Sequence, residues 1–92
     1  MRDAFHFYAD PGHGWLRVTE DDLADVGLTA DSFSRYSYVN GPRFYLEEDC
    51  DAGVFLDAYT AKRGAAPVIF EHHSNGDSLI PTYTRLPGAN RT

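Results

Sequence analysis

Apolar and polar residues alternate with period two over Phe5-His6-Phe7-Tyr8-Ala9-Asp10, which predicts a strand with Phe5 and Phe7 on one face and His6 and Tyr8 on the other. Pro11-Gly12-His13-Gly14 has turn composition, and Trp15-Leu16-Arg17-Val18 follows as a second strand, hairpin-paired with the first. At Thr19 the period changes. Thr19 is a good N-cap with Asp22 three residues on, so a short helix is expected over 20–26, with Leu23 and Val26 facing inward and Gly27 stopping it. Thr29-Ala30-Asp31-Ser32 can cap a brief helical turn. Tyr36-Ser37-Tyr38-Val39 and Arg43-Phe44-Tyr45-Leu46 then flank Asn40-Gly41-Pro42, where Asn-Gly signals a hairpin because both residues accept positive φ.

The main helix is expected over 52–63, its inner stripe formed by Val54, Phe55, Ala58, Tyr59 and the Lys62 stem. Gly64 ends it and Pro67 prevents its resumption. Val68-Ile69-Phe70-Glu71-His72-His73-Ser74 has strand composition, Asn75-Gly76-Asp77 turn composition, and 79–86 returns as a strand that Pro81 confines to an edge. Residues 86–92 form a loose tail. The order ββ-α-ββ-α-ββ predicts one α+β domain over 1–92: a mostly antiparallel sheet with two helices packed on one face.

Charge alters this picture at one place above all. Glu47, Glu48, Asp49 and Asp51 crowd the junction where the fourth strand gives way to the main helix. Each carboxylate near a helix N-terminus is stabilised by roughly 0.3–1 kcal/mol, so the run has a local reason to exist. Asp21 and Asp25 form a second, repulsive i,i+4 pair on the short helix. The whole chain of 92 residues carries a net charge of −6, with twelve acids against five bases in residues 1–62. Direct nucleic-acid binding is disfavoured, since phosphate contacts need clustered Lys and Arg; a basic protein surface is the natural partner. No apolar run approaches a membrane span and no signal-peptide layout opens the chain, so a cytoplasmic protein is expected.

Candidate chemistry is sparse. Cys50, flanked by Asp49 and Asp51, lacks the electropositive setting of a reactive thiol and is expected to be structural. An EF-hand register from Glu47 fails at the glycine position, Ala52, and at the twelfth, Ala58. His13 with His72 or His73 offers a metal-dependent or His-Asp site, but the spacing does not demand one, and no metal or cofactor is expected. Tyr36 and Tyr38 share a strand face opposite Tyr45, either as cross-strand pairs that fix register or as an exposed patch beside the acids.

Three phrases, His13-Gly14-Trp15-Leu16 with Val18, Tyr36-Ser37-Tyr38, and Tyr45-Leu46-Glu47-Glu48-Asp49-Cys50-Asp51, resemble those of small proteins carried by phages, prophages and plasmids. The resemblance spans about residues 6–60 and is most specific in the acidic phrase. It implies a mobile-element origin and supplies no catalytic residues. In size and acidity the chain also looks like anti-CRISPR proteins, a likeness of kind without a motif. The combined expectation is a non-enzymatic inhibitor that occupies a basic, nucleic-acid-binding surface of a host defence complex in the host cytoplasm. Asp21, Asp22, Asp25, Glu47, Glu48, Asp49 and Asp51 would form its contact. The rivals are a small histidine enzyme and a phage accessory domain without inhibitory role.

Overall fold

In the computed structural model, which describes residues 2–76 and 78–86, β1 (Ala4–Ala9) and β2 (Gly14–Thr19) form the expected antiparallel hairpin, with Tyr8 opposite Trp15. Asp10 closes its turn by accepting the backbone N–H groups of Gly12 and His13 at 2.9 and 2.8 Å. Gly14 is dictated by close approach, since a Cβ there would collide with the Phe7 ring. The helix α1 (Glu20–Asp25) follows at once, closed by a reciprocal capping box between Thr19 and Asp22.

The second hairpin joins β3 (Tyr38–Asn40) to β4 (Arg43–Glu47) through Gly41 at φ 60°, and pairs Tyr38 with Tyr45. The helix α2 (Asp51–Arg63) ends on Gly64 at φ 78°, whose N–H returns to the Thr60 carbonyl. The chain then enters β5 (Val68–His73), parallel to β1, and finishes in the short β6 (Thr84–Arg85) beside β3. The sheet order is β5-β1-β2-β4-β3-β6, and only β1 and β5 run parallel. The α+β class and the mostly antiparallel sheet agree with the sequence reading.

Both helices lie on one face. Phe5, Leu16, Val18, Phe44 and Leu46 form the sheet's contribution to a buried cluster completed by Leu23 of α1 and Phe55 and Tyr59 of α2. Phe5 meets Phe55 and Tyr59 edge-on, with centroids at 5.2 and 5.6 Å. The stripe of α2 differs from the expected one: Val54 is 41% exposed, and Ala52, Phe55, Leu56 and Tyr59 face inward instead. The helix is rotated because its first residue, Asp51, is itself drawn into the interior.

Two expectations at the C-terminal end do not hold. β5 and β6 are not a hairpin; they occupy opposite edges of the sheet. Residues 80–82 form a 3-10 turn, with Pro81 near its start where a missing N–H costs nothing. β5 takes its hydrogen bonds from the free edge of β1 instead. Leu86 is not part of a tail but is buried, its N–H donated to the Ser37 carbonyl at 2.9 Å. Asp77 of the expected turn and residues 87–92 of the expected tail lie outside the described residues. No described helix is long and apolar enough to cross a membrane.

Candidate binding face

Strand register determines what the face away from the helices displays. Phe70, His6, Arg17, Tyr45, Tyr38 and Arg85 stand in one row across all six strands. His72, Tyr8, Trp15 and Glu47 form the next row. The strand residues of this face include three arginines, Arg17, Arg43 and Arg85, and the carboxylate of Glu47, while Asp10 after β1 and Asp49 after β4 bring further carboxylates to it. The period-two alternation had already placed His6 with Tyr8; only the strand order brings this pair beside Trp15, Arg17 and His72.

Because β5 and β6 lie at opposite edges and the helices fill one face, the connection between them crosses the other. It is fastened at both ends. Ser78 donates its N–H to Asp10 at 3.0 Å, and Ile80 and Tyr83 pack against Trp15, Tyr38 and Tyr45, with the Tyr45 and Tyr83 rings 5.2 Å apart. This strap leaves a cavity on each side.

The first cavity, about 410 Å³, is lined by Tyr8, Arg17, Tyr45 and His72 from the sheet and by Ser78 and Tyr83 from the strap. Tyr8 and His72 stack at 4.8 Å with planes 14° apart, and the Arg17 guanidinium lies 5.3 Å over the Tyr8 ring. Beside them His6 Nδ1 and His72 Nε2 are 2.8 Å apart, a bond that requires one ring nitrogen to donate and the other to accept. Partial burial, then the charges of Arg17, His72 and Arg2, push His6 below its ordinary value and favour the neutral ring.

The second cavity, about 660 Å³, is walled by Trp15, Tyr36 and Tyr38 and edged by Glu47, Asp49 and Cys50. His13 stacks on Trp15 at 5.6 Å, and Arg85 lies 5.4 Å over the Tyr38 ring. Trp15 is 2% exposed, and its indole N–H finds no acceptor among the described residues. Cys50, expected to be unreactive because of its acidic neighbours, is an exposed free thiol at the edge of this cavity.

The seven acids singled out in the sequence do not form one surface. Asp51 is 2% exposed and accepts the N–H and hydroxyl of Ser34 and the hydroxyl of Ser37, which ties the loop before β3 to the start of α2. Asp22 is also buried: it completes the cap of α1 and pairs with Arg2. Burial alone would raise its carboxyl, but the hydrogen bonds from Arg2 and Thr19 and the Arg2 charge outweigh burial and hold it low. Both are structural. Exposed Asp21 and half-exposed Asp25 sit beyond Thr19, whereas Glu47, Glu48 and Asp49 gather near Gly14, with the Glu48 N–H donated to the Gly14 carbonyl. The five residue steps of β2 put these groups about 17 Å apart along the sheet.

The histidines are likewise divided. His13 lies 4.0 Å from Asp10 and lines the second cavity, while His72 and His73 line the first. His73 meets Glu71 at 3.2 Å on an exposed edge. Among the described residues no three His, Cys, Asp or Glu side chains group closely enough to hold a metal ion. Comparisons of the chain with protein families, curated proteins and solved structures found no match.

Proposed function

We propose that this is a binding protein of mobile-element origin, without catalytic activity, which blocks a host defence complex of the CRISPR type by occupying a basic surface of it. The observation that supports the reading is the second cavity. Acids and tyrosines, alternatives in the sequence, there share one site: Glu47 and Asp49 border walls made by Trp15, Tyr36 and Tyr38. A Lys or Arg side chain entering it gains a carboxylate partner and an aromatic face together. Cation–π contact contributes about 0.5–2 kcal/mol, the upper end when water is excluded. Tyr36 is 59% exposed, which leaves ring surface for a partner, and the chain's own Arg85 already rests over neighbouring Tyr38. Buried aromatics ringed by polar groups are the usual composition of interface hot spots.

The test is plasmid interference in a host with an active CRISPR system. Wild-type protein is expected to protect a targeted plasmid. A Glu47→Lys/Asp49→Lys variant with unchanged circular dichroism should lose that protection, and Asp21→Lys/Asp25→Lys, at the other end of β2, should retain it. Wild type that protects no plasmid sinks the defence-complex assignment, and protection that survives the Glu47/Asp49 reversal sinks the cavity's role.

A further inference from the structure

The first cavity has the opposite character to the second. The chain has 14 acidic residues, yet no carboxylate is among the described residues that line this cavity. Its walls are rings and cations. Tyr8, His72 and His6 lie nearly parallel, with interplanar angles of 14° to 26° and centroids 4.8 to 6.4 Å apart. Phe70, half exposed, continues the row at 5.4 Å from His6. Arg17 stands at the inner end of this platform, held over Tyr8, with five N–H donors and a charge that no carboxylate in the described structure neutralises by an ion pair. Ser74 and Ser78 line the same space from the strap side.

We infer that this cavity binds one nucleotide unit, its base held among the rings of Tyr8, His72, Tyr45 and Tyr83 that line it and its phosphate paired with Arg17. Stacking accepts any base, because every base offers a π face, and guanidinium matches phosphate with paired hydrogen bonds. The volume of about 410 Å³ falls within the range of small-molecule sites and suits a single nucleotide rather than a longer segment. The overall acidity of the chain does not oppose this. Arg17 has no ion-pair partner among the described residues, and the exposed acids of α1 and of the β4–α2 junction lie toward the two ends of the face. The inference is independent of the proposed defence role, which rests on the other cavity.

A nucleotide unit has two sources, a free nucleotide or a residue of a single strand, and titration separates them. Adenosine 5′-monophosphate, inorganic phosphate and a short oligodeoxyadenylate are titrated into the full chain, and binding is followed by amide and histidine-ring NMR shifts. Wild type is expected to bind the monophosphate with shifts at Tyr8 and His72, and to bind inorganic phosphate at least about tenfold more weakly, since phosphate cannot stack. Arg17→Gln should weaken nucleotide binding about tenfold or more, the size expected for loss of a charge-assisted bond. His72→Ala, an exposed edge position that the fold does not need, should also weaken it, and Asp49→Lys should not. Oligonucleotide binding about tenfold tighter than monophosphate identifies a single strand as the source; equal affinity identifies the free nucleotide. No binding by wild type up to about 1 mM, the limit of weak specific affinity, overturns the inference. So does phosphate binding as tight as nucleotide, or indifference to both Arg17→Gln and His72→Ala.

Discussion

Asp10 and Ser78, 68 residues apart, are joined by a 3.0 Å hydrogen bond from the Ser78 N–H to the Asp10 carboxylate. The same carboxylate closes the β1–β2 turn, so one side chain shapes the hairpin and fastens the strap that divides the open face. The Ser78 bond is the largest influence on the carboxyl; burial opposes it, and the N–H groups of Gly12 and His13 and the charge of His13 add to it, holding Asp10 below its ordinary 3.8. A group with a lowered folded pKa contributes stability above its unfolded value and loses it as pH falls through the folded one. Acidification below about pH 4 is therefore expected to loosen the strap before the core melts. Asp10→Ala should do the same at neutral pH. Trp15, now sealed by Ile80, reports this as increased quenching of indole fluorescence by acrylamide; equal quenching in the variant and wild type would show that the strap holds without Asp10.

The buried carboxylate of Asp51 should be the most costly acid to remove. Asp51→Ala strands the Ser34 N–H and the hydroxyls of Ser34 and Ser37 in the interior. Each buried donor left unpaired costs about 1–3 kcal/mol, so a loss of at least about 3 kcal/mol is expected. That is a large share of the roughly 5–15 kcal/mol of a typical domain. Exposed Asp49→Ala should change stability by less than about 0.5 kcal/mol. Urea unfolding of the two variants checks the contrast, and similar midpoints would refute the structural role given to Asp51.

Local signals in this sequence were legible where they were self-contained. Thr19 with Asp22, Gly27 and Gly64 each define an element end where expected. Asn40-Gly41 marks its hairpin with the turn displaced by one residue, since Asn40 still pairs with Arg43 and only Gly41 takes positive φ. What failed depended on long-range pairing. Asn75-Gly76 looked like a hairpin turn, but β1 had a free edge that β5 could take in parallel, and nothing local to residues 68–86 records that. The acids misled for a related reason: composition counts Asp22 and Asp51 as surface charge, whereas their partners, Arg2, Ser34 and Ser37, are 14 to 20 residues away. The aromatic platform was half visible, since alternation placed His6 with Tyr8, but His72 reaches them only through the β1–β5 register.

Two glycines should fail for different reasons. Gly41→Val forces a β-branched residue to φ 60° with open space around it, a backbone cost of about 1–3 kcal/mol. Gly14→Ala has no such backbone demand but pushes a methyl into the Phe7 ring, which packs against the core. Gly14→Ala combined with Phe7→Leu should therefore recover stability relative to Gly14→Ala alone, and Gly41→Val combined with Phe7→Leu should not. Thermal melts of the four variants decide it; no recovery in the first pair would mean that Gly14 is needed for something other than space.

Cys50 gives direct access to the proposed partner site. Its thiol is exposed and lines the second cavity with Glu47 and Asp49, and it makes no capping hydrogen bond for α2. Cys50→Ser should therefore leave both stability and plasmid protection unchanged. A bulky maleimide on Cys50 fills the space between Tyr36 and Asp49 without altering any charge that the fold uses. Labelled protein is then expected to stay folded and to lose capture of the purified defence complex, while labelled protein of a Cys50→Ser/Asp57→Cys variant, modified on the exposed side of α2, keeps it. Charge screening supplies an independent measure: capture by wild type should weaken as salt rises from 0.1 M to 1 M, because the screening length falls from about 10 Å to about 3 Å. Capture that survives labelling at Cys50 would place the contact away from this cavity, and the joint acid–aromatic site would lose its basis.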